Sequence, residues 1–118
     1  MVRNNREIGS SYEEAAASYI EKNGGRILER NFRCRHGEID LIAKDGKYIC
    51  FVEVKARNRD RSGYAEEAVT LKKQRIISRV ADFYRVQAKL KEDAFFRFDV
   101  IAINGDELIW HKNAFMYI

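Results

Sequence analysis

The sequence predicts an α/β protein: a mixed β-sheet of about five strands flanked by two main helices, in the order helix, three strands, helix, two strands. Three observations lead there. Apolar runs at 37–43 and 48–55 flank Asp45-Gly46, the strongest short-range signal for a hairpin with a primed turn. Apolar residues recur at helical spacing at Ala16, Ala17 and Ile20, and again from Ile76 to Ala88. The connection through the second helical stretch is long enough for a crossover, which sets strand 95–103 parallel to strand 48–55 with the usual right hand.

Each element has its own reason. Residues 1–8 read as a flexible arm, and 9–118 as a single domain, because 118 residues bury one core but not two. Ser10 or Ser11 caps a helix over 12–23, which Gly24-Gly25 ends. Glu13 falls on its apolar stripe, at the edge of the core face, and equally suits a first-turn carboxylate facing the helix dipole. Ile27, Leu28 and Phe32 mark a strand over 26–33, and the central hairpin follows. Residues 57–63 contain no apolar side chain and predict a loop. Thr70 caps the second helix, 71–90, with Ile76, Ile77, Val80, Ala81, Tyr84 and Ala88 inward. Strand 95–103 turns at Asn104-Gly105 into a last strand around 108–111.

Composition narrows the class. An apolar content of 46% is that of a globular chain. No signal-like segment or membrane-length apolar run occurs, and Cys34 and Cys50 make no disulfide framework, so a cytoplasmic protein with no membrane association is expected. The net charge of +4 matters through its distribution. Lys55, Arg57, Arg59 and Arg61 crowd behind the second hairpin strand, and Lys72, Lys73, Arg75 and Arg79 follow on the next helix. Such clustering is an electrostatic footprint for a phosphate backbone, and also what a solvated loop and helix face look like.

The hairpin holds the anomaly. Strand alternation puts Cys50, Val52 and Val54 on one face and Phe51, Glu53 and Lys55 on the other, with Glu53 and Lys55 about 7 Å apart at Cα. Asp40 lies on the adjoining strand among Ile39, Leu41 and Ile42. Charges inside apolar strands need partners or a metal. Asp40, Glu53 and Glu13 can converge at one end of the sheet, where like carboxylates raise one another's pKa unless a cation intervenes. Mg²⁺ or Mn²⁺ resolves the repulsion, polarises a phosphoryl oxygen and activates water. Lys55 would orient that water or stabilise developing charge, with the basic rim holding the polyanion. Glu-x-Lys alone is very often a plain ion pair on a sheet face. Asp99 is either a further ligand or the partner of a nearby Arg. Glu38 reads as capping the turn into its strand. Cys34 and His36 lack the second paired motif of a zinc site, and His111 is distant in sequence.

Asp40 followed by Glu53-Val54-Lys55 resembles the PD-(D/E)XK nuclease superfamily, with its restriction-endonuclease-like fold. Gly9 with Glu13 and Ala16, Gly37-Glu38-Ile39-Asp40-Leu41-Ile42, Phe51-Val52-Glu53-Val54-Lys55 and Lys73-Gln74-Arg75 together resemble the YraN-like family of small bacterial proteins, related to archaeal Holliday-junction resolvases. The resemblance covers nearly the whole chain. It implies metal ligation by Asp40 and Glu53, a catalytic role for Lys55, an additional helix acid in Glu13, and in Gln74 a polar helix residue near the metal. Ile39 stands where the superfamily's name expects proline. The implied activity is Mg²⁺- or Mn²⁺-dependent hydrolysis of DNA, including branched DNA, with Arg57, Arg59, Arg61, Lys72, Lys73 and Arg75 on the nucleic acid. The alternative is a non-catalytic nucleic-acid-binding protein that retains the scaffold. A homodimer would suit a two-fold junction, and nothing in the sequence fixes its interface.

Overall fold

The computed structural model describes residues 5–57 and 69–118. Helix α1 (Asn5–Lys22) is followed by strands β1 (Arg26–Cys34), β2 (Gly37–Asp45) and β3 (Tyr48–Arg57), helix α2 (Leu71–Gln87), and strands β4 (Phe96–Asn104) and β5 (Glu107–Phe115). The five strands form one sheet in sequential order β1-β2-β3-β4-β5. β3 and β4 run parallel, from Ile49↔Phe96 to Arg57↔Asn104, and every other pair is antiparallel. This is the expected mixed sheet, and among the described residues the only parallel pair is the one that α2 joins.

Sequence chemistry explains the elements. Gly46, at φ 61°, turns the β2–β3 hairpin with a geometry most L-residues avoid. Thr70 caps α2 by accepting from the Lys73 backbone N–H at 3.2 Å. The Ile20 carbonyl accepts from Gly25 N–H at 2.9 Å, closing α1. α1 starts at Asn5 rather than near residue 12, so Asn5–Ile8 are helical instead of belonging to the arm. Ser10 and Ser11, read as caps, are helix-interior residues here, since a serine is only mildly unfavourable inside a helix. α2 ends at Gln87, earlier than expected, because Ala88 caps it and Lys89 turns to φ 56°. β5 runs on to Phe115 through Asn113, also at φ 56°.

Alternation divides the core into two layers. Leu41, Ala43, Cys50, Val52, Ile101 and Ile103 pack against Ala16, Ala17 and Ile20 of α1. On the other face Ile39, Ile42, Ile49, Phe51 and Phe98 pack against Ile77, Val80 and Ala81 of α2. Both helical stripes are the expected ones, although Ala88 is exposed. In β2, Ile39 and Ile42 are three apart yet share a layer, so strand alternation breaks between them. Asp40 sits at that break. Opposite, Asn31 takes φ 51° between the pairs Arg30↔Leu41 and Phe32↔Ile39.

Candidate functional site

The β2–β3 ladder ends at Leu41↔Val52, while β3 stays paired with β4 as far as Arg57. The sheet therefore opens between β2 and β3 just where Asp40 and Glu53 stand. A strand that leaves its neighbour orphans backbone groups. Here the Val54 N–H donates to Oδ2 of Asp40 at 2.8 Å, so the carboxylate closes the gap that the ladder leaves.

Three acids gather at this opening. Carboxylate oxygens of Glu13, Glu38 and Asp40 lie within 4.8 Å of one another, and all three residues are half-buried. Glu13 comes from α1; the other two come from alternate positions of β2. Burial raises the Glu13 pKa, Asp40 and Glu38 raise it further, and a hydrogen bond with Asn31 and the charge of Arg33 pull it back. Glu38 also accepts from Arg33 Nε at 2.7 Å. The sequence assigned Glu38 to a turn; its place in the acid group was missed. The Glu38-x-Asp40 spacing, which sets both side chains on one face of a strand, was the available signal.

Glu53 is the fourth acid and the most deeply placed, only 5% exposed. Burial pushes its pKa up to about 9, helped by hydrogen bonding with the Asp40 carboxyl and by that group's charge. Lys73 and Lys55 pull the other way without cancelling the rise. Lys73 Nζ lies 3.9 Å from Oε2 of Glu53, an ion pair too long for a hydrogen bond. Glu53 Oε2 itself is buried with no hydrogen-bond partner among the described residues. A buried carboxylate oxygen that accepts no hydrogen bond is costly, and it fits an atom kept for a cation. The donor set is all carboxylate, which suits a hard divalent ion such as Mg²⁺ or Mn²⁺.

The other expected site residues divide. Lys55, half-buried at the far end of β3, is near enough to Glu53 to act on its charge. Gln74, in the first turn of α2, donates from Nε2 to the Val69 carbonyl at 3.2 Å. Lys72 and Arg75 are exposed on α2, and Lys73 is turned to Glu53. Arg79 is engaged instead by the C-terminus: it donates to the Ile118 carbonyl, pairs with Asp82 at 3.7 Å and stands over the Tyr117 ring at 5.1 Å. Arg57 closes β3, and Arg59 and Arg61 lie outside the described residues. Asp99 is fully buried and takes Arg97, as the simpler of its two readings had it. Cys34 and His36 take no part in the group of metal-ligating side chains found among the described residues.

Fold and site together define a small α/β protein whose sheet parts into an acidic crevice flanked by lysines. The model of the uncharacterised protein family UPF0102 matches residues 12–103, and the chain belongs to that family, the YraN-like family that the motifs resemble. A UPF0102 protein of Caldicellulosiruptor saccharolyticus is 48% identical over 100 residues, covering 85% of this chain and 84% of the relative. One of Lachnoclostridium phytofermentans is 43% identical over 112 residues, 95% of each chain. One of Chlorobium chlorochromatii is 50% identical over 98 residues, 83% of this chain and 74% of the relative. No helix among the described residues is long and apolar enough to cross a membrane.

Proposed function

We propose that the protein is a metal-dependent nuclease that hydrolyses phosphodiester bonds of DNA, with branched or otherwise structured DNA as its substrate. The observation that carries this reading is the buried Glu53 carboxyl, whose Oε2 has no hydrogen-bond partner among the described residues, at the opening where Glu13, Glu38 and Asp40 gather. Asp40 and Glu53 would hold Mg²⁺ or Mn²⁺, with Glu13 and Glu38 close by. A bound ion would supply Lewis-acid polarisation of the phosphoryl oxygen.

The chain's own residues do the rest. The Val54 N–H fixes the Asp40 carboxylate. Burial, with the Asp40 carboxylate beside it, holds the Glu53 carboxyl well above the usual carboxylate range, a cost that a bound cation would offset. Lys55, near Glu53, is placed to stabilise charge developing on phosphate oxygens. Exposed Lys72 and Arg75 supply positive charge for the polyanion.

The test is cleavage of junction, flap and linear DNA in Mg²⁺ or Mn²⁺ by the wild type and by Asp40→Ala, Glu53→Ala and Lys55→Ala. Loss of at least 100-fold in each variant is expected, in line with removing a group that stabilises transition-state charge. Unchanged cleavage in all three excludes this site. Salt-sensitive binding with no turnover in any divalent metal leaves the non-catalytic DNA-binding protein.

A further inference from the structure

Beside the carboxylates, on the α2 face of the sheet, lies a cleft of about 420 Å³ lined by Val69, Gln74, Val100, His111, Lys112, Ala114 and Phe115. Its position follows from strand register. Glu53 pairs with Val100 and Val100 with His111, so the three form one row across β3, β4 and β5. Paired residues on neighbouring strands share a face, and two strand spacings put His111 about 10 Å from Glu53 at Cα. His111, set aside on sequence distance, is thus two strands from the deepest acid of the site.

We propose that this cleft receives the nucleoside of the nucleotide next to the scissile phosphate, so that the substrate carries an unpaired nucleotide there. The inference rests on the hydrolase reading of the neighbouring acids and names its substrate class. The volume lies within the roughly 300–1,000 Å³ of small-molecule sites. A base-paired duplex cannot enter such a space, whereas one unstacked base with its sugar can. The walls suit a neutral heterocycle. Buried Val100 forms the floor, and Phe115, stacked on Phe98 with centroids 5.3 Å apart, is a fixed apolar side. The Gln74 amide, anchored to Val69, offers hydrogen bonds for a base edge or sugar hydroxyl, and the His111 imidazole lies in the same wall. The Lys112 ammonium is bound to Asp45 at 2.9 Å, so it is not a phosphate ligand here. The anionic part of the nucleotide is left to the site around Glu53, next door.

The experiment is NMR titration of the full chain with dAMP and, separately, with deoxyribose 5-phosphate. dAMP is expected to move the backbone amides of Val100, His111 and Ala114 and the side-chain amide of Gln74; the sugar phosphate is not. Ala114→Trp, which fills the cleft from an exposed strand position, should weaken dAMP binding at least tenfold, and Gln74→Ala severalfold. The proposal is overturned if dAMP leaves these signals in place, if the sugar phosphate moves them equally, or if Ala114→Trp binds dAMP like the wild type. Binding is read without turnover, so the two readings fail separately. Cleavage that persists in Asp40→Ala sinks the hydrolase site whatever dAMP does, and cleavage without dAMP binding sinks only the cleft.

Discussion

Asp40 Oδ2 accepts the Val54 backbone N–H at 2.8 Å, where the β2–β3 ladder has ended. One carboxylate thus does two jobs: it satisfies an orphan donor and it faces Glu53. Comparing Asp40→Asn with Asp40→Ala separates them, since both remove the charge but only asparagine keeps an acceptor. The alanine variant should be less stable than the asparagine variant by about 1–3 kcal/mol, the cost of an unsatisfied buried donor. Urea denaturation measures the difference. Both variants should lose the rise in melting temperature that Mn²⁺ gives the wild type.

Glu53 predicts a pH dependence with a definite sign. Burial beside Asp40 pushes its pKa up to about 9 in the folded chain, against an ordinary carboxyl's 4.5 when unfolded, so folding favours the protonated form. The resulting stability is complete below about pH 4.5 and is lost as pH rises toward 9. Glu53→Gln keeps the shape and has no proton to lose. In metal-free buffer this variant should melt above the wild type by a gap that widens from pH 5 to pH 8, reaching on the order of 5–10 °C. Mn²⁺ should close that gap at pH 8 by stabilising the ionised wild type alone. A pH-independent gap would show that Glu53 is already ionised in the folded chain.

Much of this arrangement was legible in the sequence, for local reasons. The Asp45-Gly46 turn and the alternation of Cys50 and Val52 against Phe51 and Glu53 put the acid on the face that α2 covers. Helical spacing at Ala16, Ala17 and Ile20 put Glu13 beside the core. The rest depended on distant chain. Glu38 and Asp40 share a face by plain alternation, but their meeting with Glu13 depends on how α1 seats on the sheet. His111 shares a row with Glu53 only once two registers are known. The start of α1 at Asn5 contradicts a local serine cap, and propensity is a weak guide there.

Asp99 gives a contrasting acid, one that is structural. It is fully buried and accepts from Arg97 Nε at 3.0 Å, Trp110 Nε1 at 2.9 Å and the Asn113 N–H at 2.9 Å, while Arg97 also donates to Asp45 at 2.7 Å. Asp99→Ala leaves Arg97 without its buried partner and should cost about 3–5 kcal/mol. Asp99→Asn, which keeps an acceptor, should cost less and remain folded. Trp110 is the sole tryptophan, and its N–H donates to this carboxylate, so its emission maximum should change in either variant. The Mn²⁺-induced rise in melting temperature should survive in Asp99→Asn; its loss would make Asp99 part of the metal site.

Gly37 ties the site to α2. It opens β2 at φ 147°, and a Cβ there would come within 2.6 Å of Ile76 Cγ2 on α2. A β-branched side chain packed under a helix cannot swing away, so either the helix or the strand must move. Gly46 provides the control: its φ is 61°, and nothing lies within 4 Å of an added Cβ. Gly46→Ala should cost about 1 kcal/mol in backbone strain alone. Gly37→Ala carries strain plus the clash and should cost about 2–3 kcal/mol. The displaced strand carries Glu38 and Asp40, while Lys73 and Gln74 ride on the displaced helix. Gly37→Ala should therefore also weaken Mn²⁺ stabilisation in a thermal-shift series, with Gly46→Ala keeping the wild-type response. Equal responses in the two variants would mean that the acids hold their geometry independently of how α2 seats on the sheet.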